Sequence, residues 1–320
     1  MIGIVVIGRN EGARLMACLE SVRGAEAHIV YVDSGSSDGS VAAARGVGAD
    51  VVELDESAPF TAARARNAGV ARLVEGTPPD VVQFIDGDCT LAPGWLDRAL
   101  EAFARESGLG VVCGRRREVS PGASVYNRLI DREWDTPVGI TKACGGDAMM
   151  RLAAFRAVGG FNGALIAGEE PELCVRLRAA GWTIRRLDAE MTRHDASITR
   201  FAQWWARTRR AGYAYAAGAR LHGAPPERHC VAELRRARLW GGVLPAVSVA
   251  VAASVTPWGL ALLLAYPAQV LRLWLRDRDA AEATFLTLGK VAEAQGALQF
   301  GWEQATGKSA RLIEYKGRER

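Results

Sequence analysis

The chain has 320 residues, of which 49% are hydrophobic and 24% charged, and its formal net charge is +4 at pH 7. This length and composition predict a sizeable core in one large domain or two smaller ones, and they exclude a disordered or collagen-like chain. The basic excess is too small to indicate nucleic-acid binding, so no nucleic-acid partner is expected.

Short apolar runs alternate with helical patterns in the first half of the chain, an order typical of a parallel α/β sheet. In chain order, this half predicts strand 2–7, helix 12–22, strand 29–32, helix 40–45, strand 51–54, helix 61–74, strand 81–85, helix 93–104 and strand 110–114. The second half is less regular, with a helix predicted over about 171–180 and basic, then apolar, helical patterns after His194. We therefore expect an α/β fold with a mostly parallel central sheet flanked by helices.

Three polar clusters stand where predicted strands end: Arg9-Asn10-Glu11, the run 33–40, and Asp86-Gly87-Asp88. Ligands of open α/β sheets bind outside the carboxyl ends of the strands, so these clusters are candidate binding segments. Neither a G-x-G-x-x-G nor a Walker A sequence is present, which excludes a standard dinucleotide or P-loop site. Taken alone, each cluster is also compatible with ordinary turn and helix-capping chemistry.

The pair Asp86-x-Asp88 is the sharpest local feature. Two carboxylates one residue apart, directly after an apolar strand, suit a hard divalent cation that also bridges phosphate oxygens. The pair therefore predicts a metal and phosphate site at this strand end.

The motifs in chain order resemble glycosyltransferase family 2. The resemblance rests on residues 5–11, 32–40, 65–69, 84–88, 145–147, 159–161 and 168–173 with Arg176, and it covers about residues 1–200. It implies a GT-A (Rossmann-like) fold and a metal-dependent, inverting transfer of a sugar from a nucleotide-sugar donor, with a UDP-sugar expected. The implied cofactor is Mg²⁺ or Mn²⁺.

The resemblance also implies roles for individual residues. The implied nucleotide-binding residues are Arg9, Glu11, Asp33, Arg66 and Asp86, the metal ligands are Asp88 and His194, and the substrate-binding residues are Gly146, Asp147 and Arg176. Glu170 stands where the family usually has Asp in a Glu-Asp pair, which makes Glu170 the expected catalytic base and Glu169 the alternative. Because of this replacement, a non-catalytic sugar-nucleotide-binding or membrane-partner protein of the same fold remains the rival hypothesis.

The segment that follows the resemblance changes in character. From Trp182 to Arg238 there are 12 arginines and 5 acidic residues, and the next 33 residues, Leu239 to Leu271, carry no charge. A basic segment followed by a long apolar one predicts a membrane-facing end. The run Gln203-Trp204-Trp205-Ala206-Arg207 only approaches the processive QxxRW pattern, so one sugar per event is expected.

These patterns predict four regions. They are a GT-A domain at 1–200, a basic amphipathic helical segment at 201–238, an apolar helical hairpin at 239–275, and a cytoplasmic helical tail at 276–320. The hairpin either spans the membrane or is re-entrant, with a buried soluble hairpin as a third alternative.

The predicted location is the cytoplasmic face of the inner (plasma) membrane. The six cysteines form no CxxC pair and indicate reduced core thiols, and no signal peptide is expected before the first strand. The expected partners are the nucleotide-sugar donor, a lipid-linked or glycan acceptor of bacterial envelope synthesis, and the membrane surface.

Overall fold

The computed structural model describes residues 1–307 and divides into two compact units, Met1–Ser197 and the chain from Ile198 onward. The last part of the predicted tail, 308–320, lies outside the described residues.

The first unit combines nine strands and seven helices. In chain order they are β1 (Ile2–Gly8), α1 (Ala13–Val22), β2 (Ala27–Asp33), α2 (Ser40–Gly46), β3 (Asp50–Glu53), α3 (Ala62–Leu73), β4 (Val81–Asp86), β5 (Cys89–Leu91), α4 (Trp95–Arg105), β6 (Leu109–Glu118), α5 (Val125–Glu133), β7 (Gly139–Ile140), β8 (Ala148–Arg151), α6 (Leu152–Ala157), α7 (Glu169–Ala179) and β9 (Thr183–His194). All of them lie within the described residues.

One sheet holds these strands in the order β3-β2-β1-β4-β8-β6-β9-β5, with β7 paired to β9. The strands β3, β2, β1 and β4 run parallel, as do β6 and β9. The pairs β4–β8, β6–β8, β5–β9 and β7–β9 are antiparallel. The expected α/β fold with helices around a central sheet is confirmed, and the antiparallel pairs make its second half mixed.

Burial explains why the first strands are continuous apolar runs. The interior of β1 and nearly all of β4 are buried, as expected for strands covered on both faces. In α4, Trp95, Ala99, Ala102 and Phe103 are buried, a spacing that places them on one helix face. A Cβ at Gly69 would lie 2.4 Å from Val5 Cγ1, so this glycine permits the close packing of α3 on β1.

The strand register brings distant polar residues to the carboxyl-end edge of β1, β2 and β4. Gly8 pairs with Asp33, and Ile7 pairs with Asp86. On the antiparallel side, Cys89 pairs with His194, so the end of β9 lies beside the turn that follows β4. The three polar clusters predicted from the sequence therefore lie along one edge.

Strand β9 was not predicted, and β6 is longer than the predicted strand 110–114. Both strands are rich in arginine toward their ends, a composition without the apolar alternation that signals a strand. They form because β6 and β9 pair with each other over most of their length.

The second unit is helical throughout its described elements. These are α8 (Phe201–His222), α9 (Val231–Arg238), a π-helical turn (Leu239–Val243), α10 (Leu244–Ser254), a 3₁₀ segment (Pro257–Leu264), α11 (Ala265–Asp277) and α12 (Ala280–Thr306). Two continuous helical stretches, Val231–Ser254 and Pro257–Asp277, are long and apolar enough to cross a membrane, and only 11% of each apolar window is buried. Length and composition alone are weak support for a membrane span.

Candidate active site

Asp33 organises the loop that follows β2. Its Oδ2 accepts hydrogen bonds from the backbone N–H groups of Gly35 (2.9 Å) and Ser36 (2.7 Å), and its Oδ1 accepts one from the Tyr31 hydroxyl (2.8 Å). Burial and this bond to Asp33 raise the pKa of Tyr31 above its usual range. The Asp33 side chain is buried, so the carboxylate shapes the loop from inside.

The loop after β1 is tied to the loop after β2. The Asn10 backbone N–H donates to Ser36 Oγ (2.8 Å), and the Ser37 N–H donates to Asn10 Oδ1 (2.7 Å). The Arg9 guanidinium lies 5.4 Å from the ring centroid of Phe60, which precedes α3. Sequence reasoning missed Phe60, because an aromatic residue in a turn carries no motif.

Glu11 lies next to this loop pair. Its carboxylate forms an ion pair with Arg14 (2.9 Å). A Cβ added at Gly8 or Gly87 would lie 3.3 or 3.5 Å from Glu11 Cγ, so the side chain packs over both strand ends.

Arg66 joins two of the predicted site carboxylates. It projects from α3 and donates to Asp86 Oδ1 (2.7 Å) and to Glu169 Oε1 (2.8 Å). Burial disfavours its charge, but these two carboxylates outweigh that effect and raise the pKa of Arg66. The arginine therefore stays charged in a nearly solvent-free position.

Arg116, on β6, forms a second link to the same site. Its guanidinium lies 2.7 Å from Asp147 Oδ2 and 3.4 Å from Asp86 Oδ2. Burial is the largest single influence on the pKa of Arg116 and lowers it, but Asp147, Asp86 and other nearby groups together outweigh burial and raise the pKa. No motif singled out Arg116; its only sequence signal is the run Arg115-Arg116-Arg117 after an apolar strand.

Asp147, predicted to bind substrate, lies inside the protein behind Asp86. Its side chain is fully buried and accepts hydrogen bonds from the Asp86 N–H (3.0 Å) and the Thr192 hydroxyl (2.7 Å). With its ion pair to Arg116, these contacts orient both Asp86 and Arg116.

Gly146 lies where three of these side chains converge. A Cβ built there would be 2.9 Å from Arg66 Nη2, 3.2 Å from Asp86 Oδ2 and 3.3 Å from Arg116 Nη2. Only glycine therefore leaves room for the side chains of Arg66, Asp86 and Arg116 at this position.

Asp88 and His194 meet at the end of β9. The His194 Nε2 lies 3.0 Å from Asp88 Oδ2, and both side chains are buried. Burial and the nearby Arg116 lower the pKa of His194 to about 4, so the imidazole is neutral near pH 7. A neutral imidazole beside a carboxylate fits a divalent cation such as Mn²⁺, which takes nitrogen and oxygen ligands.

Two residues that sequence reasoning missed surround this histidine. Glu118 Oε2 lies 4.0 Å from His194 Nδ1, and the Trp134 ring lies edge-on to the imidazole at 4.9 Å. A carboxylate near the second nitrogen of a ligating histidine orients the ring. Glu118 also accepts the Ala196 N–H (3.0 Å), which fixes the chain just after β9.

The two candidate bases occupy the first turn of α7, which starts directly after Gly168 (φ 77°). Glu169 pairs with Arg66. Glu170 is buried; its Oε1 accepts the Cys144 N–H (2.7 Å) and lies 3.0 Å from the sulfur atoms of Cys144 and Cys174.

Arg176, predicted to bind substrate, has partners on its own helix and after α6. Its guanidinium forms a bidentate pair with Glu172 (2.9 and 2.7 Å) and donates to the Val158 carbonyl. These contacts link α7 to the end of α6.

A parallel half-sheet that ends in Asp86-Gly87-Asp88 and is extended by antiparallel strands is the arrangement of the GT-A fold. The first unit contains a glycosyltransferase family 2 domain. Residues 3–158 match the model of glycosyl transferase family 2, and residues 128–198 match the model described as the N-terminal domain of galactosyltransferase. The family predicted from the motifs is thereby confirmed.

Two curated relatives are similar to part of this chain. The chain is 28% identical to the pre-mycofactocin glycosyltransferase of Mycobacterium tuberculosis over 220 residues, which cover 64% of this chain and 44% of the relative. It is 28% identical to the succinoglycan biosynthesis protein ExoA of Rhizobium meliloti over 204 residues, 58% of this chain and 60% of the relative. The chain thus spans about half the length of the curated relatives it matches.

Solved structures agree on the fold. The mannosyltransferase PcManGT from Pyrobaculum calidifontis, solved with GDP-Man and Mn²⁺, has a TM-score of 0.65 at 20% identity, covering 95% of this chain and 87% of that chain. S. aureus TarS 1-349 has a TM-score of 0.50 at 13% identity, covering 100% of this chain and 98% of that chain.

Proposed function

We propose that this chain transfers a sugar from a nucleoside diphosphate-sugar to a glycan or lipid-linked acceptor, in a metal-dependent single displacement that inverts the anomeric centre. The observation that carries the proposal is the meeting of Asp86, Asp88 and His194 with Glu169 and Glu170 at one strand edge of a family 2 domain. The candidate cation ligands and the candidate bases therefore belong to the same unit of the fold.

The nucleotide side of the site is assigned to the two linked loops after β1 and β2. Asp33 sets the shape of its loop, and Arg9 and Phe60 provide a cation and an aromatic ring against which a planar base can stack. Arg66 supplies positive charge near the diphosphate while it holds Asp86. The sequence resemblance favours uridine as the base, and the donor panel below tests this.

The metal is assigned to Asp88 and His194, with Asp86 beside them. When bound, Mg²⁺ or Mn²⁺ stabilises the negative charge that develops on the departing diphosphate. The neutral His194 and the charged Asp88 form a donor set that suits Mn²⁺, and the structurally similar PcManGT was solved with Mn²⁺.

Glu170 is assigned as the base that takes the proton from the acceptor hydroxyl. Its polar neighbours are neutral, namely the Cys144 N–H and two thiols. Glu169 instead balances the charge of the buried Arg66, and a proton taken up there would leave that arginine with less compensation. General base catalysis contributes about 10²–10⁴ in rate.

The second unit is assigned to the membrane. Large apolar side chains are exposed along the helices of 239–275, including Val255 (76%), Trp258 (81%) and Leu264 (67%). Arginines stand before this region at Arg235, Arg236 and Arg238 and after it at Arg276 and Arg278, which fits two ends on the cytoplasmic face. A membrane location would suit a lipid-linked acceptor in envelope glycan synthesis, and a relative named for succinoglycan biosynthesis supports a glycan product.

The test is nucleotide release from UDP-, GDP- and dTDP-sugars with Mn²⁺ or Mg²⁺, with and without acceptor extracts. Variants Asp88→Asn, Glu170→Gln and Glu169→Gln are compared with Glu20→Gln, an exposed carboxylate on α1. We expect one donor to turn over, Asp88→Asn and Glu170→Gln to lose at least about 100-fold in kcat, and Glu20→Gln to match the parent. Nucleotide binding without turnover of any donor, unaffected by Asp88→Asn, would favour the non-catalytic binding protein.

A further inference from the structure

Two cysteines and Glu170 form a cluster that the motifs did not reveal. Cys144 and Cys174 are 30 residues apart in sequence, yet their sulfur atoms lie 3.6 Å apart. Each sulfur is 3.0 Å from Glu170 Oε1, and one ligand atom from each residue lies within 4.8 Å of the others. Cys174 follows Glu170 by one turn of α7, and Cys144 stands just before the glycines at Gly145 and Gly146.

The separation of the two sulfur atoms matches that in the ligand cage of a thiophilic cation. Two sulfurs at ~2.3 Å from a tetrahedral Zn²⁺ lie ~3.7 Å apart, close to the separation seen between Cys144 and Cys174. Two thiolates and one carboxylate are three ligands, which leaves a fourth position for water. Soft sulfur ligands select Zn²⁺ or Cd²⁺ over the hard Mg²⁺ and Mn²⁺.

The alternative use of two adjacent thiols is a disulfide. That bond requires sulfurs at ~2.05 Å, so the two buried side chains would have to approach each other by more than ~1 Å. The hydrogen bond to Cys174, followed by burial, raises the pKa of Cys144, and burial raises that of Cys174 to about 11. Oxidation needs a thiolate, which is scarce here, whereas a bound cation itself replaces the protons.

We propose that Cys144, Cys174 and Glu170 bind a divalent cation of the Zn²⁺ class, at a site separate from Asp88 and His194. Binding converts two thiols to thiolates and releases two protons for each cation. Because the cation would engage the Glu170 carboxylate, its binding inhibits the transferase. The binding does not depend on the reaction, but the inhibition rests on the proposed role of Glu170 as the base.

Cadmium titration of the full chain tests the site directly. With excess Mg²⁺ present, we expect one Cd²⁺ per chain to produce an ultraviolet thiolate-to-cadmium band and to release about two protons. Cys174→Ser and Cys144→Ser are each expected to weaken this binding by more than the ~10–100-fold that loss of an outer partner costs.

Two other cysteines serve as controls. Cys113→Ser removes a buried thiol that donates to the Arg185 carbonyl, and it should keep the band. Cys89→Ser removes the thiol next to Asp88, and it should also keep the band. Loss of the band in Cys89→Ser with retention in both cluster variants would place the cation at Asp88 and His194 and overturn the proposal. So would a folded parent protein that gives no band.

Inhibition is measured separately, as nucleotide release against Zn²⁺ concentration in excess Mn²⁺. The parent and Cys113→Ser should be inhibited at the concentrations that fill the site, and Cys174→Ser should resist at least tenfold more Zn²⁺. If Cd²⁺ binds as expected but the filled site leaves turnover unchanged, the site stands and the assignment of Glu170 as base fails. If Cys174→Ser does not fold, judged by its melting curve, Cys144→Ser carries both measurements.

Discussion

Arg66 and Arg116 share Asp86 as a partner, and each holds a second carboxylate from a later part of the chain, Glu169 or Asp147. Both arginines are largely buried, so each needs these partners to remain charged in the interior. The Asp86 side chain, at the end of β4, is therefore fixed from two sides before any ligand arrives.

Adding one methyl group at Gly146 tests whether the packing of Arg66, Asp86 and Arg116 matters for activity. Gly146→Ala would place a Cβ within 2.9 Å of Arg66 and 3.2 Å of Asp86, so both side chains must move. Because a displacement of ~1 Å in a catalytic site costs ~10²-fold, we expect a loss of that order in kcat/KM from steady-state assays. Gly163→Ala, which has open space around its Cβ, is the matched control. Parental kcat/KM in the Gly146→Ala enzyme would contradict the role assigned to the network.

His194 should make folding stability depend on pH. Burial, with Arg116 nearby, lowers its pKa from 6.5 to about 4. Between these values the unfolded chain binds more protons than the folded one, so the free energy of unfolding rises with pH and falls as pH drops from 6.5 toward 4. At pH 5 the cost from this residue is about 2 kcal/mol relative to pH 7.

Urea unfolding in metal-free buffer at pH 7 and pH 5 measures this difference. His194→Gln should lose about 2 kcal/mol less than the parent protein over that interval. Equal pH dependence in the parent and the His194 variant would show that the imidazole accepts a proton in the folded state.

At the scale of elements, the site depends on strands that are far apart in sequence. Asp147 lies directly before β8, Asp86 ends β4, Arg116 is on β6 and Thr192 is on β9. Hydrogen bonds or ion pairs from Asp147 reach all three other residues. One buried carboxylate therefore contacts residues of both the parallel and the antiparallel parts of the sheet.

Asp147→Asn should therefore destabilise the whole first unit. The amide keeps the volume of the side chain but removes the charge that balances buried Arg116, and breaking a buried pair costs about 3–5 kcal/mol. Urea denaturation should show a loss in this range, whereas Asp55→Asn, a change in an exposed turn, should be nearly neutral. A loss below about 1 kcal/mol would mean that Asp86 alone compensates Arg116.

At the scale of the whole molecule, the charge is unevenly distributed along the chain. The exposed arginines Arg235, Arg236 and Arg238 end α9, immediately before the apolar stretch. Basic residues at a membrane surface contribute about 1 kcal/mol each to binding of anionic lipid, and that contribution weakens with salt. Apolar insertion is insensitive to salt.

Sedimentation with vesicles containing anionic lipid separates these contributions. Replacing the three arginines by Gln should weaken binding at low salt by about 3 kcal/mol and have little effect at high salt. Leu262→Arg should weaken binding at both salt concentrations, because a charge in an apolar span costs about 2.5–3.5 kcal/mol. The control variant replaces three exposed arginines of the first unit by Gln, namely Arg23, Arg45 and Arg105, and so removes the same amount of charge. A chain that stays in solution at low salt would reject the membrane assignment.

Motif and periodicity predicted the parallel half of the fold closely. The first strand and helix fall within one residue of the predicted bounds, and the Asp-x-Asp turn follows β4 as expected. These features can be predicted because apolar runs, helical spacing and polar residues at strand ends each depend only on residues close together in the sequence. The same locality explains why β9, with its arginines, was missed.

The sequence by itself determined the family, the α/β class and the identity of the polar strand ends, because each depends on residues close together in the chain. Only the tertiary structure decided which side chains meet there. It buried Asp147, paired Arg176 with Glu172, and brought Arg116 and Glu118 to the site. It also gathered Cys144 and Cys174 around Glu170. Strand register and helix packing set these contacts across tens of residues, and no local pattern encodes them.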